Sequence, residues 1–248
     1  MNKLHSNDWW LPALILFLCV SVFSCSKDEE DNVTNNTPAN INNTTPKCPN
    51  DKHPHLIDLG IGVKWACCNV GASKPTEYGT YFAWGETTPK TTYDRSTYTM
   101  CSNGSLYNIT KYCTNASYGA VDNKTTLDLS DDAAHINWDW DGSWRMPTAD
   151  ELSELHSKCT WTWTTKTNPN GYLVTGPNGN SIFLPPGGGF NHTGSLSREG
   201  ETGYYWSSSL GRSGADCAYF LIFASGVYSV NYSDGFRYSG FSVRPVSE

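Results

Sequence analysis

The sequence has little charge, few methionines and no apolar stretch long enough to cross a membrane. Only 17% of its 248 residues are charged and only 3 are methionine, whereas 22 are glycine, 10 are tryptophan and 14 are tyrosine. Aromatic residues favour strands and glycines favour turns, so this composition predicts a turn-rich β protein and not a helical bundle. The formal charge of -7 leaves no basic surface, which argues against nucleic acid as a partner.

Sequence motifs of common catalytic centres are also missing. No Gly-x-Ser-x-Gly nucleophile turn occurs, and no Gly-rich phosphate loop is followed by Lys and Ser or Thr. Gly60 and Gly62 begin a dinucleotide-type pattern, but Trp65 stands where its third glycine belongs. We therefore predict no catalytic residue.

Two short groups of potential metal ligands are weak. His53 and His55 lack a third ligand at a standard spacing, so a surface loop is the better interpretation. Asp139 and Asp141 precede Gly142 as in a calcium loop, yet the later ligands of such a loop are absent and a turn explains them. No metal and no cofactor is predicted.

The N-terminal region is typical of an exported protein. Trp9 to Phe23 form a fifteen-residue apolar run after a segment carrying Lys3, and a membrane span needs about 20 residues. The run ends in Val22-Phe23-Ser24-Cys25, which resembles the lipobox of bacterial lipoprotein signal peptides, with Phe23 in place of the usual small residue. The resemblance implies that residues 1–24 are removed and that Cys25 is acylated.

The segment after Cys25 predicts a flexible tether. Residues 26–31 read Ser-Lys-Asp-Glu-Glu-Asp, which resembles the surface-export signal of Bacteroidetes lipoproteins and is otherwise a solvated charge run. Residues 32–45 hold six asparagines and four threonines, too little apolar surface to fold. Residues 25–47 are thus the acylated cysteine and its tether, and one domain follows from 48 to 248.

Within that domain the clearest local signal is a helix start. Thr148 followed by Glu151 forms a capping box, and Leu152, Leu155 and Cys159 recur at helical spacing. This pattern predicts a helix over 149–158. A second, shorter helix is predicted to begin after Ser130.

The remainder of the domain predicts short antiparallel strands. Residues 159–164 alternate and place Trp161 and Trp163 on one face. Residues 218–223, a turn at 225–226 and residues 227–232 form a hairpin, after which Asp234-Gly235 indicates another turn. Residues 241–246 are expected to form a closing edge strand that tolerates Pro245. Five tryptophans are assigned to packing: Trp65, Trp84, Trp161, Trp163 and Trp206.

Seven motifs over residues 56–247 resemble the Fibrobacter succinogenes major paralogous domain family, in the family's order. They are Asp58-Leu59-Gly60, Lys64-Trp65-Ala66, Cys68 to Ala72, Tyr81 to Glu86, Trp144 to Thr148, Tyr205 to Ser209 and Val243 to Val246. The Trp-Arg-x-Pro-Thr helix start is also similar to that of C-type lectin-like domains and of the related formylglycine-generating enzymes. The resemblance implies an α+β, loop-rich, lectin-like fold of twisted antiparallel sheets with two helices.

The resemblance also implies where a ligand would bind. Lectin-like domains recognise partners through the long loop after the second helix, here roughly residues 165–204. Aromatic faces stack on sugar rings, and polar side chains hydrogen-bond to hydroxyl groups, although the same residues suit a protein partner. The expected contact residues are Phe190, Asn191, His192, Arg198 and Tyr204.

Seven cysteines remain after Cys19 and Cys25 are set aside, which allows three disulfides in an exported protein. The short loop between Cys101 and Cys113 makes that pair the first candidate. The lectin-like resemblance suggests Cys68 with Cys159 as the second, and buried thiols are the alternative to both. Cys67 and Cys68 should point in opposite directions if they lie on a strand.

Together these patterns predict a lipoprotein anchored in the outer membrane and facing the cell exterior. Its domain is expected to be a non-catalytic recognition or adhesion module, with a glycan as the first ligand class and a protein as the second. One alternative is an enzyme of the formylglycine-generating fold, but the paired late cysteines of those enzymes reduce here to Cys217. The other alternative is a structural component of a surface assembly.

Overall fold

The computed structural model describes residues 55–105, 107–138, 143–190, 194–212 and 214–248, without the side chains of 229–234. The chain divides into two units, Met1–Asn42 and Asn43–Glu248, and every described residue belongs to the second. The expected signal peptide, Cys25 and the tether lie outside the described residues, as do His53 and the segment 139–142.

The described part of the chain is built from short strands and two α-helices. The strands are β1 (Leu56–Asp58), β2 (Lys64–Ala66), β3 (Trp144–Arg145), β4 (Thr160–Thr164), β5 (Gly171–Thr175), β6 (Ser181–Leu184), β7 (Gly189–Phe190), β8 (Leu196–Ser197), β9 (Thr202–Leu210), β10 (Cys217–Ala224), β11 (Val227–Phe236) and β12 (Val246–Ser247). The helices are α1 (Ala133–Trp138) and α2 (Ala149–Lys158), with 3-10 turns at Arg95–Thr97, Ser102–Gly104 and Leu129–Asp131. The fold is therefore α+β and rich in loops.

Helix α2 begins and ends where the sequence predicts. The Thr148 side chain accepts a hydrogen bond from the Glu151 N–H, and the Glu151 carboxylate accepts one from the Thr148 N–H. Two donors that a helix start would leave without partners are thus satisfied. The predicted second helix corresponds to the 3-10 turn at Leu129–Asp131 and to α1, whose first N–H groups are capped by Asp132.

All strand pairs of the sheets are antiparallel. One sheet has the order β1-β2-β12-β3, a second has β11-β10-β9, a third has β4-β5-β6, and β7 pairs with β8. In the third sheet Trp161 and Trp163 lie on one face, where both rings meet the edge of Tyr172. The alternating pattern of residues 159–164 predicts this arrangement correctly.

Two strand predictions need correction. Gly235 lies inside β11 opposite Ala218 and not in a turn, because a Cβ there would lie 2.9 Å from the Trp206 ring, so only glycine lets that ring pack. The expected edge strand 241–246 is reduced to β12, which lies between β2 and β3 at the centre of its sheet. Pro245 has no N–H to donate, but its carbonyl accepts from the Ala66 N–H at 2.9 Å.

The expected long loop at 165–204 is also wrong. This segment contains β5, β6, β7, β8 and the start of β9. Its glycines permit close backbone packing: the Gly188 N–H donates to the Thr202 carbonyl at 2.7 Å, and a Cβ on Gly188 would lie 2.3 Å from the Ser197 carbonyl oxygen. The high glycine content therefore reflects strand contacts and not a free loop.

Two clusters of buried side chains form the core. The larger one contains Trp84, Trp144 and Trp206, and the smaller one joins Leu152 and Leu155 of α2 to Trp65 and Trp161. The tryptophans predicted to pack are buried, apart from Trp163, which is half-buried. Within the described ranges no helix is long and apolar enough to cross a membrane.

Neither expected disulfide is present. Cys101, Cys113 and Cys159 carry free thiols. The Cys113 thiol donates to the Asn115 carbonyl at 3.1 Å within its own turn, and Cys159 packs against the smaller core cluster whereas Cys68 belongs to the larger one. The alternative of buried thiols describes Cys101 and Cys113.

Candidate functional site

Of the five residues predicted to contact a ligand, the structure describes three, and the rings of two of these, Phe190 and Tyr204, pack against neighbouring aromatic rings. The Phe190 ring lies 4.7 Å from the Tyr93 ring and 5.3 Å from that of Tyr81, and Tyr204 stacks on Phe241 at 5.0 Å. Both rings are half-buried because backbone bonds between Phe190 and Gly240, and between Ser242 and Tyr204, turn them toward the core. Arg198 is exposed, and Asn191 and His192 lie outside the described residues.

A different face of the domain exposes aromatic rings. We call it the aromatic surface and define it by Tyr107, Tyr118, Phe236, Asp216 and Arg95. Tyr107 is 70% exposed and stacks on the Tyr118 ring, with 6.1 Å between the ring centroids and 28° between the planes. Phe236 is 40% exposed and stacks on Tyr238 at 5.2 Å. Large apolar side chains rarely group at an exposed face of a protein without a partner.

Two tight turns place the tyrosine pair. Tyr107 lies within a turn closed by the hydrogen bond from the Asn108 N–H to the Ser105 carbonyl, and Tyr118 ends a turn in which the Asn115 carbonyl accepts from the Tyr118 N–H at 2.9 Å. The Ile109 N–H then donates to the Tyr118 carbonyl at 2.8 Å and holds the turns side by side.

Glycine is required at the crossing of these turns. Gly119 has a φ of 149°, and a Cβ there would lie 2.1 Å from the Ile109 carbonyl oxygen. Any other residue would separate the two segments, and with them the stacked rings.

A carboxylate lies beside the tyrosine pair. A Cβ built on Gly214 would lie 2.5 Å from Asp216 Oδ1 and 3.0 Å from the Tyr118 hydroxyl oxygen, so both groups converge on the same small residue. The negative charge of Asp216, followed by partial desolvation, raises the pKa of Tyr118. The Tyr118 hydroxyl therefore stays protonated and can donate a hydrogen bond to a ligand.

Phe236 and Arg95 border this group. Phe236 ends β11 opposite Cys217, the residue that follows Asp216. Arg95 is exposed, on a 3-10 turn whose N–H groups are capped by the Asp94 carboxylate. Burial raises the pKa of the Tyr238 hydroxyl and the Arg95 cation opposes that shift, which places Arg95 next to the Phe236–Tyr238 pair.

Beneath the aromatic surface lies a buried cation, Arg237. Its guanidinium, with 0% exposure, donates to the carbonyls of Ala215, Lys111 and Tyr112 and to the Tyr98 hydroxyl, at 2.8 to 3.2 Å. It also lies 4.6 Å from the Trp84 ring. Because Ala215 precedes Asp216 and Lys111 follows the turn of Tyr107, one side chain fixes both parts of the surface.

Arg237 is the supporting residue that the sequence pattern missed. It stands between two aromatic residues in Phe236-Arg237-Tyr238, and the alternation of a strand predicts that a charged side chain at this position is exposed. A charged residue placed directly between two aromatic residues was the available signal.

The aromatic surface offers flat apolar rings, one carboxylate acceptor, a phenol donor and a guanidinium donor. Such a set can stack on the apolar face of a sugar ring while hydrogen-bonding its hydroxyl groups. Within the described ranges no group of three or more His, Cys, Asp or Glu side chains is arranged to hold a metal ion.

Comparisons with known proteins add no relative. No protein-family model, no curated protein and no solved structure matches this chain.

Proposed function

We propose that this chain is a lipid-anchored recognition protein of a bacterial outer surface whose domain binds glycans through the aromatic surface. The observation that carries the proposal is the stack of the exposed Tyr107 ring on the half-buried Tyr118 ring, beside the Asp216 carboxylate. The lipobox-like residues before Cys25 and the tether to residue 47 support the anchored location.

The geometry favours a carbohydrate because aromatic rings and a carboxylate lie next to each other. A sugar ring presents C–H groups on a face and hydroxyls at its rim, which match an exposed ring and an adjacent carboxylate. Arg237 holds the segments below, so little ordering is required on binding. The proposed lectin-like fold is supported by the motif Trp144 to Thr148, which runs from β3 into the N-cap of α2.

The test is a glycan array probed with the full-length chain in detergent. We expect Tyr107→Ala to weaken binding about tenfold, equivalent to about 1.4 kcal/mol, because the outer ring of the stack is lost. Asp216→Asn should weaken binding as well, since the amide keeps one acceptor but loses the charge. Val227→Ala, which shortens a side chain of 66% exposure at the first residue of β11, is the matched control and should bind normally.

Two outcomes would contradict the proposal. If Arg198→Ala abolishes glycan binding while Tyr107→Ala does not, the ligand lies at the site first predicted from the sequence. If the array is blank but Tyr107→Ala releases a co-purifying protein, the surface binds a protein, and the module belongs to a surface assembly.

A further inference from the structure

Cys67 and Cys68 lie side by side, contrary to the expectation for a strand. Strand β2 ends at Ala66, and the two cysteines follow it in a bend. Their sulfur atoms are 3.3 Å apart. Both side chains are buried, with 1% and 0% exposure. Two sulfur atoms at this separation are in contact, so a disulfide bond of about 2.05 Å can form after a small movement of the side chains.

A histidine lies next to the first thiol. His55 Nδ1 is 3.4 Å from Cys67 Sγ, and the Cys67 N–H donates to the His55 carbonyl at 3.1 Å. Backbone and side chain therefore hold the imidazole against the sulfur. Because the thiolate and not the thiol is the nucleophile in disulfide exchange, an imidazole nitrogen that accepts a proton in this position would make Cys67 the attacking sulfur.

The peptide between the cysteines is linked to a second buried cation. The Arg244 guanidinium, 1% exposed, donates to the carbonyls of Cys67 at 2.9 Å and Ala66 at 3.0 Å. It also donates to the Phe183 carbonyl and to the Asn69 side chain, both at 2.9 Å. A change in the direction of the Cys67 carbonyl would therefore alter the hydrogen bonds of a side chain that also contacts Asn69 and Phe183.

We propose that Cys67 and Cys68 are a redox modification site, a dithiol that a low-molecular-weight disulfide oxidises to a disulfide between the adjacent residues. His55 accepts the Cys67 proton, and the thiolate attacks the reagent disulfide and releases one reagent thiolate, which takes up that proton. The Cys68 thiol then loses its proton, its thiolate attacks Cys67 Sγ, and the second reagent thiolate that is displaced takes up that proton. The protein loses two hydrogen atoms, and one reagent disulfide becomes two thiols.

The product is expected to be easily reduced. Adjacent Cα atoms are about 3.8 Å apart across a trans peptide, shorter than the roughly 4.4–6.8 Å usual for disulfides. Strained disulfides have the more oxidising potentials typical of reversible sites. Closing the ring also turns the Cys67 carbonyl, which removes one of the hydrogen bonds of Arg244. The pair is thus a reversible site and not a structural crosslink.

The test equilibrates the full-length chain with glutathione at several ratios of reduced to oxidised form, then blocks free thiols with maleimide. Peptide mass spectrometry should show Cys67 and Cys68 two hydrogens lighter and without maleimide. The change should reverse on adding reduced glutathione. In the Cys68→Ser variant the ring cannot close, and Cys67 should instead carry glutathione. Cys159→Ser is the matched control and should leave the reaction unchanged.

A second measurement keeps the role of His55 testable. His55→Gln should slow oxidation about tenfold or more at neutral pH and remove the histidine step from its pH–rate profile. The proposal is overturned if both cysteines carry maleimide at every ratio, or if either is joined to a different cysteine of the chain. An unchanged rate and pH profile in His55→Gln would overturn the role of the imidazole.

Discussion

Replacing Arg237 with methionine tests whether a buried cation that donates to carbonyl and hydroxyl oxygens stabilises this domain. Methionine fills a similar volume but cannot donate. The carbonyls of Lys111, Tyr112 and Ala215 and the hydroxyl of Tyr98 then lose their donor in the interior. The contact with the Trp84 ring changes from a cation above a π face to a thioether.

The expected loss follows from two opposing effects. Hydrogen bonds from a charged donor are worth about 1.5–3 kcal/mol each, and buried acceptors left without a partner cost about 1–3 kcal/mol each. In the other direction, folding of the wild type removes the guanidinium from water, which costs several kcal/mol. This cost is absent in the methionine variant. Because at least four acceptors lose their donor at once, the first effect should win. We expect the free energy of unfolding to fall by about 3–5 kcal/mol.

Urea unfolding followed by tryptophan fluorescence measures this difference. A loss of that size corresponds to a fall in Tm of about 10 °C for a domain of this length. Arg198→Met removes the same side chain from an exposed position and should change the free energy of unfolding by less than about 0.5 kcal/mol. A loss below about 1 kcal/mol in Arg237→Met would refute the reasoning, since it would mean that the orphaned carbonyls find other partners.

Three further changes have definite expected results. Thr148→Ala removes the N-cap of α2 and should lower the free energy of unfolding by about 1 kcal/mol in a urea titration. Burial acts to raise the pKa of Glu151, but hydrogen bonds from Arg145 and the Thr148 N–H outweigh it and leave that pKa below 4.5. Its stabilisation is therefore present above pH 4.5 and is lost as the pH falls through the folded-state value. Glu151→Gln should flatten the acid limb of a stability–pH curve, and an unchanged limb would contradict the assignment. Gly119→Ala should weaken glycan binding with a loss of about 1–3 kcal/mol in stability, because its Cβ would collide with the Ile109 carbonyl. Normal binding by this variant would show that the turn crossing does not position the rings.

Elements specified by neighbouring residues could be predicted from the sequence. The capping box of Thr148 and Glu151 is contained within four residues, and α2 begins and ends as it predicts. The hairpin around Ser225 and Gly226 is local in the same way. In the alternating residues 160–164 every second side chain lies on the same face, so the shared orientation of Trp161 and Trp163 could also be predicted.

Elements that depend on residues distant in the sequence could not be predicted from it. Gly235 looks like a turn residue until the Trp206 ring packs against it. Phe190 looks exposed within a glycine-rich segment until Gly240 pairs with its backbone. The aromatic surface was missed for the same reason, because Tyr107, Asp216 and Phe236 are brought together by the fold over a separation of more than a hundred positions.

The central position of β12 has a consequence for the order of folding. Val246 pairs with Trp65 on one side and with Arg145 on the other, so the backbone ladder of the first sheet spans most of the domain. Closing so long a loop costs conformational entropy before any contact offsets the loss, and such topologies fold slowly. During synthesis, β2 and β3 stay without their shared neighbour until residue 247 has been added. A nascent chain therefore keeps the edge of β2 open from residue 66 and that of β3 open from residue 145, and until β12 is added association with other chains competes with folding.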